Sequence, residues 1–144
     1  MTSCAYCNAN PPIENSHVVP AFIVRFLKNN NPSEFILNSW AYRKAQDGLK
    51  GPYLCAPCDN VLFSGWENQF KKRVFDPVQN GQKADWQDES CIRFLLSVAF
   101  RYTVHFLETS PHEANAANNL LFRDLTHKAM DDLAMLDSQL FIYP

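Results

Sequence analysis

The sequence predicts an α+β fold on three observations. Two Cys-x-x-Cys pairs, C-A-Y-C at 4–7 and C-A-P-C at 55–58, flank a stretch with short β-branched runs. A helix-spaced apolar pattern follows the second pair directly. After residue 88 come two long stretches of helical periodicity. Together these divide the 144 residues into a metal-tied unit over 1–77 and a helical extension over 78–144.

The elements follow in order. Residues 4–10 form the first cysteine knuckle. Glu14 to Val19 reads as a short strand, with Asn15 and His17 on one face and Ser16 and Val18 on the other. Pro20 suits a helix start, and Phe22, Ile23, Phe26 and Leu27 give Ala21 to Lys28 an apolar stripe. Asn29 to Pro32 is a loop, 34–44 is strand-like, and Asp47-Gly48 and Gly51-Pro52 are turn signals. The second knuckle opens a helix of about 15 residues with Leu62, Phe63, Trp66 and Phe70 inward, ended by Asp76-Pro77. Asp88 to Glu108 is apolar nearly all round, except for Arg93, Ser97, Arg101 and His105 at every fourth position, which read as a polar stripe or internal pairing. Ser110-Pro111-His112-Glu113 opens the last helix, with Ala117, Leu121, Leu125, Ala129 and Leu133 as its stripe. The apolar ending Phe141 to Pro144 reads as a strand cut short, as in a fragment of a longer protein.

Composition narrows the function. Hydrophobic residues make up 47% and charged residues 19%, a globular balance that excludes extensive disorder. Four Gly against nine Pro, with no GxGxxG or GxxxxGK[ST], exclude a glycine-rich phosphate loop. Residues 1–75 carry a charge balance of +3 and 76–144 one of −5, so an anionic partner belongs to the first half. Neither a membrane span nor a signal peptide is visible, which makes the reducing cytoplasm the expected compartment.

In that compartment the four paired cysteines read as thiolates rather than disulfides. Each short knuckle presents two sulfurs on one side, so Cys4, Cys7, Cys55 and Cys58 are the expected ligands of one structural Zn²⁺. Cys91, among Ile92, Leu95 and Leu96, reads as a buried thiol. A knuckle, a hairpin and a helix opening with the second knuckle describe a treble clef.

Within that frame S16-H17-V18-V19-P20 resembles the motif of HNH-type (His-Me finger, ββα-metal) endonucleases. Zinc-containing members read C-x-x-C, then [D/H/E]-H-[I/V]-[I/V]-P, then L-C-x-x-C-[H/N]. The matching stretches are C-A-Y-C at 4–7, S-H-V-V-P at 16–20 and L-C-A-P-C-D at 54–59, so the likeness covers about the first 75 residues. The S-H-V-V-P form and R-F-x-x-S-x-x-x-R at 93–101 also look like a bacterial subgroup known only as HNH-like.

The resemblance implies a metal-dependent endonuclease acting on DNA more than RNA, with His17 as the general base. Asp59 stands where the family places a metal-binding His or Asn, which implies a catalytic Mg²⁺ or Mn²⁺. Glu67, about 80° round the same helix, is a weaker candidate ligand. Position 16 is Ser where the family often has a metal-ligating Asp or His. The family's middle Asn has no counterpart before Cys55, with Asp47 or Asn38 the available substitutes. Lys71, Lys72 and Arg73 are candidate nucleic-acid contacts. The subgroup suggests a role in phage defence. Two further readings stand beside the nuclease: an inactive zinc treble clef that binds nucleic acid, and a module whose acidic helical half docks a protein partner, a further domain or a second copy. His112 and His127 read as surface residues, and Trp40, Trp66 and Trp86 as core.

Overall fold

The computed structural model describes residues 2–30, 36–38, 43–45, 48–84, 86–109 and 116–140. It is mixed but mostly helical. Strand β1 (Ser16–His17) leads into helix α1 (Ala21–Asn29), followed by β2 (Ile36–Asn38), β3 (Arg43–Ala45) and β4 (Lys50–Gly51). β1 pairs antiparallel with β4, Ser16 opposite Gly51 and His17 opposite Lys50. β2 and β3 form a separate antiparallel pair, Leu37 opposite Lys44. Trp40 and Asp47 lie outside the described residues.

The helix after the second knuckle is longer and less regular than its sequence pattern suggests. A π-type segment, Cys58–Phe63, runs into α2 (Ser64–Phe70), a second π-type segment, Lys71–Phe75, and α3 (Asp76–Gln79). Asp76-Pro77 therefore does not end it. The backbone stays helical through Phe75, Asp76 and Pro77, directly after the second π-type segment, so the helical path continues to Gln79.

Two long helices follow, α4 (Glu89–Thr109) and α5 (Ala116–Leu140). Asp88 caps α4 by accepting the Ser90 amide at 2.8 Å. The proposed capping sequence of α5 at 110–113 and the ending at 141–144 lie outside the described residues.

One cluster of buried side chains crosses residue 77. Cys4, Val18, Leu54 and Phe63 from the first part pack with Phe100 and Met130 from the second. A second cluster seats α1 and the π-type segment on the start of α4, with the Phe70 and Phe94 rings stacked at 3.9 Å.

Three expected faces differ. In α1 Val24 is the buried residue and Leu27 is exposed. Trp66 is core, but Trp86 is 62% exposed in the linker. In α5, Thr126 and Met130 are buried, while Leu121 and Leu125 face solvent. Polar anchors set that rotation. Tyr6 Oη donates to Asp131 Oδ1 at 2.7 Å, and His127 places its two ring nitrogens 2.7 Å from the Tyr6 carbonyl oxygen and 3.0 Å from Asp131 Oδ2. Turning α5 to bury its leucines would break both contacts to Tyr6. His127 is thus half-buried and engaged rather than a surface residue.

Candidate functional site

The cysteine cluster is built by backbone hydrogen bonds between the two knuckles. Ala5 N–H donates to the Tyr53 carbonyl and Ile13 N–H to that of Leu54, both at 2.8 Å. Asn8 closes the first knuckle at φ 56°, a left-handed conformation that Asn tolerates better than most residues. The sulfurs of Cys4, Cys7, Cys55 and Cys58 consequently lie within 4.8 Å of one another, Cys7 and Cys55 at 3.6 Å. Four sulfurs at ~2.3 Å from a zinc ion would span edges of about 3.8 Å, so the spacing fits that ion.

All four thiols are unpaired; three are buried and Cys7 is exposed. Burial, then the neighbouring sulfurs, push the Cys58 thiol well above its ordinary range. The Ala9 backbone amide beside Cys7 holds that thiol down at about 6. Four thiols crowded this closely suit a dication that makes all of them thiolates. The cluster could hold a metal ion, and its donor set is that of a structural zinc site.

The β1–β4 ribbon lies against this cluster. Adjacent strand residues point to opposite faces, and cross-strand partners share one. On the buried face, Ser16 Oγ donates to Asp59 Oδ1 at 3.0 Å. Its partner is Gly51, where a Cβ would fall 2.3 Å from the Tyr53 ring, so only glycine fits. His17 and Lys50 share the other face, both half-buried.

The ribbon is clamped from outside by α4. Arg101 is 1% exposed, and its Nη1 donates to the His17 carbonyl at 3.0 Å and pairs with Glu67 Oε1 at 2.7 Å. Its Nε donates to the Ser97 carbonyl at 3.1 Å, and the guanidinium lies over Phe63. Burial raises the Glu67 carboxyl above its ordinary value despite Arg101, and nearby Asp59 adds to the rise. One turn on, Tyr53 Oη sits 2.6 Å from His105 Nδ1. Burial pushes the phenol up and the imidazole down, so the hydrogen bond joins two neutral groups, its direction set by the imidazole tautomer.

The structure thus joins Asp59, Glu67 and Arg101 behind β1 and places His17 with Lys50 on its other face. The basic run is largely neutralised within the chain. Lys71 Nζ pairs with Asp76 at 2.7 Å and Arg73 Nη1 with Asp88 at 3.2 Å, while Lys72 is exposed. Sequence reasoning did not single out Lys50, because only the strand register sets it opposite His17. The every-fourth-residue stripe did mark Arg101 for internal pairing, without naming its partners. No helix among the described residues is long and apolar enough to cross a membrane. No protein-family model, curated protein or solved structure matches the chain.

Proposed function

We propose that the chain is a zinc-organised, HNH-like hydrolase of phosphodiester bonds in which His17 is the working residue. The observation that supports this most is the double restraint on His17. Pairing with β4 holds it on one side, and the buried Arg101 grips its carbonyl oxygen from the other. A half-buried imidazole on so fixed a backbone can take a proton from water at a set position. Lys50 on the same face supplies a cation where a phosphate would lie. The four cysteines hold Zn²⁺ as a structural ion in this reading. Asp59 and Glu67 are the residues that the resemblance offers for Mg²⁺ or Mn²⁺, and they lie behind β1, on the face opposite His17.

A second reading, an inactive module that binds nucleic acid, is favoured by one specific arrangement. Asp59 is engaged by Ser16, and Glu67 by a buried guanidinium that competes with any added cation. One experiment separates the two. The zinc-loaded protein is incubated with duplex DNA and with RNA, with and without Mg²⁺ or Mn²⁺, beside the His17→Ala variant. Metal-dependent cleavage that falls roughly 10²–10⁴-fold in the variant carries the nuclease reading. Salt-sensitive binding without cleavage carries the second. Neither binding nor cleavage rejects both.

A further inference from the structure

We infer that the outward apolar face of α4 and α5 is the contact surface of a symmetric dimer of this chain. The two helices bury apolar side chains, Phe94, Phe100 and Val104 of α4 and Met130 of α5, and still leave an apolar stripe outside. On α4 the polar stripe Arg93, Ser97 and Arg101 is buried, engaged with Glu89, the Phe94 carbonyl and Glu67 respectively. The apolar residues Ile92, Leu95 and Tyr102, at spacings of three and seven, face out instead. On α5 the outward positions are Leu121, Phe122 and Leu125. Phe122 shares with Leu95, Val98, Ala99 and Tyr102 the lining of a groove of about 440 Å³, completed by Val19, Pro20 and Ile23, so α4 and α5 both contribute to one apolar groove.

The area points to a second copy as the occupant. Those six side chains leave between 40% and 60% of their surface in solvent. At roughly 200 Å² for a large apolar side chain, they offer on the order of 600 Å². A standard interface buries ~800 Å² per partner, of which about 60%, or roughly 500 Å², is apolar. The face therefore supplies the apolar share of a standard interface by itself. It also carries both halves of a self-complementary fit: a ridge at Leu121 and Leu125 beside a groove at Val98 and Ala99. A two-fold axis seats each ridge in the partner's groove.

Charge agrees with this occupant. The charged pairs on α5, Arg123 with Asp124 and Lys128 with Asp132, are closed within one copy. These pairs add no repulsion of their own between two copies, and the −5 balance of residues 76–144 disfavours a polyanion or an anionic lipid surface as the occupant. The dimer does not rest on the nuclease reading, because the face uses α4, α5 and the segment after β1 but not His17 itself.

The test is sedimentation of the zinc-loaded full chain from ~1 to ~100 µM, with Leu95→Glu and Leu125→Glu beside it. Both positions are exposed in the monomer, so the variants should keep their zinc and far-UV circular dichroism. The expected result is a wild-type dimer and variants whose dissociation constants rise roughly 100-fold or more. A wild-type chain that stays monomeric throughout overturns the inference, whether or not it binds vesicles or another protein. A dimer that both variants retain overturns it as well. If a variant loses its zinc, leucine-methyl relaxation by a soluble paramagnetic probe decides on the wild type. Shielding of Leu95 and Leu125 that grows with concentration supports the dimer, and constant exposure refutes it.

Discussion

Arg101→Met should be among the most damaging single substitutions outside the cysteines. Methionine keeps the unbranched stem over Phe63 but removes the guanidinium. Glu67, with 19% of its side chain exposed, then faces a buried site with no cation, and the His17 and Ser97 carbonyls lose their donors. Breaking one side of a buried ion pair typically costs 3–5 kcal/mol. Against a domain stability of roughly 5–15 kcal/mol, that lowers the melting temperature by roughly 10 °C or more. The assay is denaturant unfolding of the zinc-loaded protein in a double-mutant cycle with Glu67→Gln. The glutamine keeps an acceptor for Arg101 and carries no charge to strand. Glu67→Gln alone leaves the buried Arg101 cation without an anion and should also be costly, whereas the double variant strands no charge and should be more stable than Arg101→Met alone by about 1–3 kcal/mol. An Arg101→Met cost below about 1 kcal/mol, or additive effects of the two substitutions, would refute the clamp.

Two further outcomes follow from the same contacts. Elemental analysis should find one zinc per chain, and its removal by chelator or by Cys55→Ser should unfold the N-terminal part, since structural zinc contributes on the order of 10 kcal/mol; an unchanged circular dichroism spectrum would contradict this. His105 has its proton affinity lowered by burial, so the unfolded chain protonates near the ordinary value of 6.5 while the folded chain resists. The stability it contributes is present above about pH 6.5 and lost as the pH falls below it. The drop in melting temperature between about pH 7 and pH 5 should be smaller in His105→Gln, and equal drops would show that His105 is not the sensor.

Much of the architecture was legible because it rests on local chemistry. A Cys-x-x-Cys knuckle needs only four residues to aim two sulfurs together, so the pairing of Cys4 and Cys7 with Cys55 and Cys58 could be read without a fold. The strand alternation of Ser16 against His17 and the existence of α4 and α5 follow from spacing alone. Which surface each element turns inward did not follow. Periodicity marks α4 as apolar nearly all round with one polar stripe that would ordinarily face water, and gives α5 an apolar stripe that would ordinarily go inside. Here contacts distant in sequence decide otherwise: Arg101 with Glu67 and His17, and His127 and Asp131 with Tyr6. Their partners lie between 34 and 125 residues away, beyond the reach of any sequence window. The same limit hid Lys50, whose place opposite His17 is set by register. Composition and spacing determined the cysteine chemistry and the element list. Tertiary structure alone decided that a buried arginine holds the histidine strand and that the leucines of the last helix face outward, because both outcomes depend on which buried polar groups find partners.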